Sequence, residues 1–154
     1  MGAYYFDTSA LVKRYVAEVG SAWVRNVMSL RPSHVIYASV IAQPEVISAL
    51  QRKVREGRLD QDSARTISQR LSTHFAHSYA LVAITPQVIT QACALLQHHP
   101  LRAYDALHLA CAMAINRVLQ QNGLPPPHFV AADETLLVAA TAEGFGVDNP
   151  LLHP

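Results

Sequence analysis

Tyr4-Tyr5-Phe6-Asp7-Thr8-Ser9-Ala10-Leu11-Val12 is the stretch on which the fold turns. An apolar run ends on one carboxylate, two hydroxyls follow, and a new apolar pattern begins. A buried strand that delivers an acid to its own carboxyl end reads this way, because open α/β sheets bind ligands just beyond those ends. The same residues also read as a helix cap supplied by Asp7 or Ser9. On this stretch alone the two readings have equal weight. The rest of the chain must show whether other acids reach the same place.

The bulk composition bounds the answer. A chain of 154 residues, 51% hydrophobic, suits one globular domain spanning 1–154 with a sizeable core. No apolar run reaches the roughly 18–20 residues of a membrane helix. Asp7 arrives too early for the apolar region of a signal peptide, so a cytoplasmic protein is expected. Cys93 and Cys111 lie in alanine-rich helical patterns and are expected as small buried thiols, without a CxxC partner for zinc. A net charge of +1 excludes a broadly basic nucleic-acid coat but allows a local basic stripe.

Outward from the first stretch, strands and helices alternate. Strands are predicted at 3–6, 34–37, 79–84, 128–133 and 145–147. Helices are predicted at 9–17, 21–30, from Ala42 or Gln43 to Gly57, from Asp60 or Asp62 to about Phe75, 86–98, 104–121 and 134–143. Pro44 is tolerated only near a helix start, which places Glu45 in the first turn. Thr85-Pro86 is a cap followed by proline at the first helical position. Residues 106–115 are apolar almost all round except for His108, so that helix is expected to be covered on most sides. This alternation predicts an α/β fold: a parallel sheet of about five short strands with helices on both faces, joined by right-handed crossovers. His74, His77 and His98-His99 are expected at the surface. His108, three residues after Asp105, lies within reach of the same helix face.

Seven of the eleven acids sit in polar contexts that a solvated side chain explains: Glu18, Glu56, Asp60, Asp62, Glu134, Glu143 and Asp148. Four do not. Asp7 and Asp133 end apolar strands, and Glu45 and Asp105 occupy first turns of largely buried helices. In a parallel sheet these positions fall along one edge. Two carboxylates about 4 Å apart repel by roughly 4 kcal/mol at an effective dielectric of 20. Four together must raise their pKa values or recruit a cation. Oxygen-only ligands point to Mg²⁺ or Mn²⁺ rather than zinc. That arrangement suits phosphodiester hydrolysis. GxxxxGK[ST], GxGxxG and GxSxG are all absent, which removes nucleotide-cradling loops and α/β serine hydrolases.

Taken in order, four segments resemble those of PIN-domain ribonucleases of the VapC toxin type. They are Phe6-Asp7-Thr8-Ser9-Ala10-Leu11, Pro44-Glu45-Val46-Ile47-Ser48-Ala49-Leu50, Tyr104-Asp105-Ala106-Leu107-His108-Leu109-Ala110 and Val130-Ala131-Ala132-Asp133-Glu134-Thr135-Leu136-Leu137, with Glu143-Gly144-Phe145 and Asn149-Pro150 closing the set. The resemblance implies a metal-dependent endoribonuclease with Asp7 and Asp105 on Mg²⁺ or Mn²⁺. It implies that Glu45 and Asp133 complete the pocket, holding water on the ion or a second ion. Thr8 or Ser9 would hydrogen-bond the carboxylates or a water. It further implies a homodimer, a small antitoxin of VapB type as partner, and RNA products with 5′-phosphate and 3′-hydroxyl ends. Ala42 departs from the Ser or Thr common three residues before the glutamate. A PIN nuclease outside toxin systems, a catalytically silent PIN-like binding module and a haloacid-dehalogenase-type phosphatase are the alternatives. The last is disfavoured because Ser9 stands where its second Asp is needed.

Basic residues concentrate in 52–70. With the Lys13-Arg14 corner, this helical pair is the expected RNA surface, and Lys13, Arg14, Arg52 and Arg55 are its named contacts. A solvated face, dimerisation or antitoxin binding would account for the same charges.

Overall fold

Period-two alternation along the first strand sends Tyr5 to one face of a sheet and Phe6 to the other. Everything else is layered on that choice. The computed structural model describes residues 2–30 and 33–154. Its strands are β1 (Gly2–Phe6), β2 (His34–Ser39), β3 (Ala80–Val82), β4 (His128–Val130) and β5 (Val147–Asp148). They pair in parallel in the order β3-β2-β1-β4-β5. The helices are α1 (Thr8–Leu11), α2 (Ser21–Ser29), α3 (Ala42–Arg55), α4 (Gln61–His77), α5 (Pro86–His98), α6 (Ala103–Gln121) and α7 (Glu134–Ala142). The predicted α/β class, with a parallel sheet between helices, is what the chain adopts.

Two cores result, one on each face. Tyr5 and its register partner Phe129 stack at 5.4 Å and pack with Val88, Ala92 and Leu95 of α5, Leu109 of α6 and Leu136 of α7. Phe6, Ile36, Ala38 and Val130 face the other way, onto Leu11, Val24, Val46, Leu50 and Leu71 from α1 to α4. Complete burial of a side chain such as Phe129 contributes roughly 1.5–3 kcal/mol. Among the described residues, no helix is long and apolar enough to cross a membrane.

Several expectations need correction. The helix expected over 9–17 stops at Leu11 and continues only as a 3-10 turn, Val12–Arg14. The chain turns there because Tyr15 buries its ring and hydrogen-bonds Tyr79 and the Nδ1 of His74, contacts that local spacing does not encode. Edge strand β3 is limited to Ala80–Val82, pairing with Tyr37–Ser39 of β2. The fourth strand ends at Val130, so Asp133 stands in the following loop as the cap of α7. The last strand begins at Val147, because Phe145 is drawn into the core. Cys93 is exposed, since the buried stripe of α5 passes through Val88, Ala92 and Leu95 and leaves residue 93 outside it; Cys111 is buried as expected. His74 and His99 are half-buried, on Tyr15 and Glu143 respectively, rather than free at the surface.

Gly20 is required where it stands. Its φ is +88°, and a Cβ there would lie 2.3 Å from the Pro150 carbonyl oxygen, where the carboxyl-terminal turn crosses the start of α2.

Candidate active site

The strand order reverses about β1. The chain steps outward from β1 to β2 and β3, then returns through α5 and α6 to β4 on the other side. A parallel sheet opens a crevice at such a point, beyond the strand carboxyl ends. Here that crevice is a cleft of about 410 Å³ lined by Asp7, Thr8, Ser9, Glu45, Asp105, His108 and Asp133, among others.

Each acid arrives by its own local route. Asp7 follows β1 directly, its backbone N–H donating to the Val130 carbonyl of β4. It caps α1 and lines the cleft at once, because its Oδ1 accepts from the Ala10 N–H at 3.0 Å while the carboxylate still borders the open space. Glu45 is carried by α3, whose helix begins at Ala42. Pro44 fits there because the first backbone N–H groups of a helix have no intrahelical acceptor. Asp133 accepts from the Leu136 N–H at the start of α7.

Asp105 reaches the edge for a different reason from the one strand–helix alternation supplies, because α6 follows a helix. The short connection 122–127 returns the chain to the start of β4. The far end of α6 must therefore lie near the opposite sheet edge, and its first turn lies at the cleft.

Ser9 and Thr8 divide their work. The Ser9 hydroxyl lies 2.7 Å and 2.9 Å from the two Asp7 oxygens, to which it donates, and accepts from the Ala132 N–H. It thereby ties β1 to the loop that carries Asp133. Thr8 donates instead to Glu45 Oε1 at 3.0 Å.

The electrostatics are those of crowded acids, relieved only in part by His108 and Arg102. Asp7 is 4% exposed, and burial pushes its carboxyl up to about 6. The His108 charge and the hydrogen bonds from Ser9 and Ala10 oppose that rise, while Asp105 adds to it. Burial, then the charge of Asp133, also raises the Asp105 carboxyl. Among the described residues no Lys or Arg forms an ion pair with Asp7, Asp105 or Asp133. Nor do three Asp, Glu, His or Cys side chains converge into a closed metal cage. An open set of oxygen donors suits a hard cation that keeps several waters, as Mg²⁺ does.

The basic residues separate into two groups. Lys13 and Arg52 line a second cleft of about 420 Å³ with Lys53 and Arg58, and it shares Ser9, Val12, Ala49 and Arg52 with the first. Lys13 is buried rather than on a polar face. Its ammonium and that of Lys53 donate to the two oxygens of Glu18, at 3.1 Å and 3.0 Å. Glu18 is thus a structural bridge rather than a solvated acid. Arg14 points elsewhere: it donates to the Tyr79 hydroxyl and lies over the Tyr15 and Tyr79 rings. Arg55 lines neither cleft. Sequence reasoning kept Lys53 and Arg58 within the 52–70 surface without naming them as contacts, and read Glu18 as solvated, so it missed the link between Lys13 and Glu18. The only signal of that link was the i, i+5 spacing of Lys13 and Glu18, which no helix or strand period marks.

A five-stranded parallel sheet with four acids at its switch point defines the class, and the chain belongs to the PIN domain family, whose model matches residues 4–122. Among curated proteins it is 32% identical to Ribonuclease VapC46 of Mycobacterium tuberculosis, over 97% of this chain and 99% of that protein. Among solved structures it resembles VapC20 of the same species, described as a sarcin–ricin loop cleaving toxin. That match has a TM-score of 0.63 and 18% identity, covering 92% of this chain and 95% of the other. A toxin–antitoxin complex from Klebsiella pneumoniae is similar over 96% of this chain and 97% of its own, with a TM-score of 0.58 and 18% identity. At those identities the solved structures speak to the fold.

Proposed function

We propose that this chain is a divalent-metal-dependent endoribonuclease, the toxin of a VapBC-type pair, acting in the cytoplasm. The whole of 1–154 is read as one PIN domain, because β4 and β5 pair in the same sheet although they lie outside residues 4–122. The observation that carries the function is the convergence of Asp7, Glu45, Asp105 and Asp133 on one cleft.

Asp7 and Asp105 are the residues that would hold Mg²⁺ or Mn²⁺. The raised carboxyls and the absence, among the described residues, of a Lys or Arg ion-paired to either acid fit that use. When bound, the ion neutralises the acids and supplies Lewis-acid activation of water and of the scissile phosphate. The protein's own part follows from its geometry. Ser9 fixes the Asp7 carboxylate, and Asp133 borders the same space. Glu45 is placed to take a proton from the attacking water. The adjoining cleft accepts the phosphates that flank the cut through Arg52 on the shared wall, while Lys53 and Arg58 beyond it are paired with Glu18 and Glu56. Specificity is expected from unpaired, splayed bases rather than duplex sequence. A homodimer and a small antitoxin of VapB type, with a segment that covers the acidic cleft, complete the proposal.

The test is cleavage of RNA by purified protein with Mg²⁺ or Mn²⁺, alongside a chelator control and Asp7→Asn. Cleavage should require the ion and vanish in the variant while its circular dichroism is unchanged. Activity that persists in excess chelator refutes the reading. Co-expression with the product of an adjacent small reading frame, scored for growth, separates a toxin from a housekeeping PIN nuclease.

A further inference from the structure

A buried polar row leads from the sheet to the cleft. The Tyr5 hydroxyl lies 2.8 Å from His108 Nδ1. On the other side of the ring, His108 Nε2 lies 2.7 Å from Glu45 Oε1, the oxygen to which Thr8 also donates. Tyr5 and His108 are 0% and 1% exposed, while the Glu45 side chain is 27% exposed and lines the cleft. Both contacts to Glu45 end on Oε1. Its Oε2 takes no hydrogen bond among the described residues.

Proton placement in this row is constrained. A carboxylate oxygen only accepts, so the 2.7 Å contact requires a hydrogen on His108 Nε2. With the ring neutral, the Tyr5 hydroxyl supplies the hydrogen for Nδ1. Which ring nitrogen carries the hydrogen is set by the bond that the other nitrogen makes.

We infer that Tyr5 and His108 are positioning residues for Glu45. Tyr5 and Glu45 together fix the Nε2–H tautomer of His108, Glu45 by accepting from Nε2 and Tyr5 by donating to Nδ1. His108 and Thr8 then hold Oε1, so that Oε2 alone is presented to the cleft to take the proton of the attacking water. A carboxylate held at Oε1 offers the cleft one oxygen in a fixed direction. The inference rests on the nuclease reading for the identity of the proton donor, but the hydrogen-bond row stands without it.

Long-range ¹H–¹⁵N spectra of the histidine rings test the row without any activity. In the apo protein, His108 should show its hydrogen on Nε2 and an acceptor-type Nδ1. In Tyr5→Phe the hydrogen should stay on Nε2 for Glu45, while the Nδ1 resonance moves to that of a nitrogen without a hydrogen-bond donor. An Nδ1–H pattern in wild type overturns the inference. With a short single-stranded RNA and Mn²⁺, Tyr5→Phe and His108→Leu should lower kcat by about 10- to 100-fold, the usual range for residues that orient a ligand or base. KM and Mn²⁺ affinity by calorimetry should stay within about twofold, because neither residue touches RNA phosphate or the ion. His108→Gln, which retains an N–H donor for Glu45, should recover part of the loss. Unchanged kcat in a folded Tyr5→Phe overturns the positioning role, as does a loss confined to KM or to ion affinity. If wild type cleaves no RNA, the nuclease reading falls, and the wild-type tautomer with the Nδ1 shift of Tyr5→Phe still decides the row.

Discussion

Replacing Asp7 with asparagine tests the electrostatics of the site before any chemistry. Asp7 is almost completely buried, and its carboxyl is pushed from 3.8 up to about 6. At about 1.4 kcal/mol per pKa unit, that shift is worth roughly 3 kcal/mol. The sign follows from proton counting. Between about pH 4 and 6 the folded protein holds a proton on Asp7 that the unfolded chain has lost, so stability falls as pH rises through that window. Above pH 6 the full cost of the buried charge remains. Asparagine removes the charge, and its carbonyl oxygen can still accept from the Ala10 N–H. In excess chelator, urea unfolding should therefore find Asp7→Asn more stable than wild type at neutral pH. The expected gain is on the order of 2–3 kcal/mol, narrowing to near zero by about pH 4. Asp105 is shifted in the same direction, so the difference between the two proteins is the quantity to follow rather than either curve alone. Adding Mn²⁺ should reverse the order by stabilising wild type only. An Asp7→Asn protein that is less stable at neutral pH, or whose difference from wild type does not change with pH, would refute the argument.

Mn²⁺ should raise the Tm of wild type in a concentration-dependent manner, and Asp105→Asn should abolish the rise; an equal rise in both removes Asp105 from the ion site. Arg52→Ala should weaken RNA binding and lower the slope of log affinity against log salt by about one, measured by fluorescence anisotropy. Arg14→Ala should leave that slope unchanged and cost about 1–2 kcal/mol of stability instead, because its guanidinium serves Tyr79 and Tyr15. Gly20→Ala combines a positive φ with a backbone clash at Pro150 and should cost roughly 2 kcal/mol or more in denaturant unfolding.

The alternation of apolar runs with helical spacing was enough to read a parallel sheet between helices. Buried parallel strands are apolar on both faces, and amphipathic helices repeat at 3.6 residues. The four exceptional acids were legible by contrast, each being a charge where its surroundings are apolar. Asp7 looked like either a cap or a site residue. The two positions are compatible, since one carboxylate caps α1 and lines the cleft. Element ends were less legible. The stop after Leu11 depends on Tyr15 reaching Tyr79, a partner 64 residues away, and periodicity carries no information at that range.

The chain by itself therefore determined which residues carry charge into apolar surroundings, and on which elements. These are local properties of pattern and spacing. Tertiary structure alone decided how those charges are used. It placed the start of α6 at the same edge as β1, although α6 follows a helix. It turned Arg14 into a packing residue and buried Lys13 against Glu18. It also set His108 between Tyr5 and Glu45, 103 and 63 positions away in sequence. The physical reason is common to all four. A side chain's hydrogen-bond partners and dielectric surroundings are set by what the fold brings within about 3 Å, and sequence distance does not limit that choice.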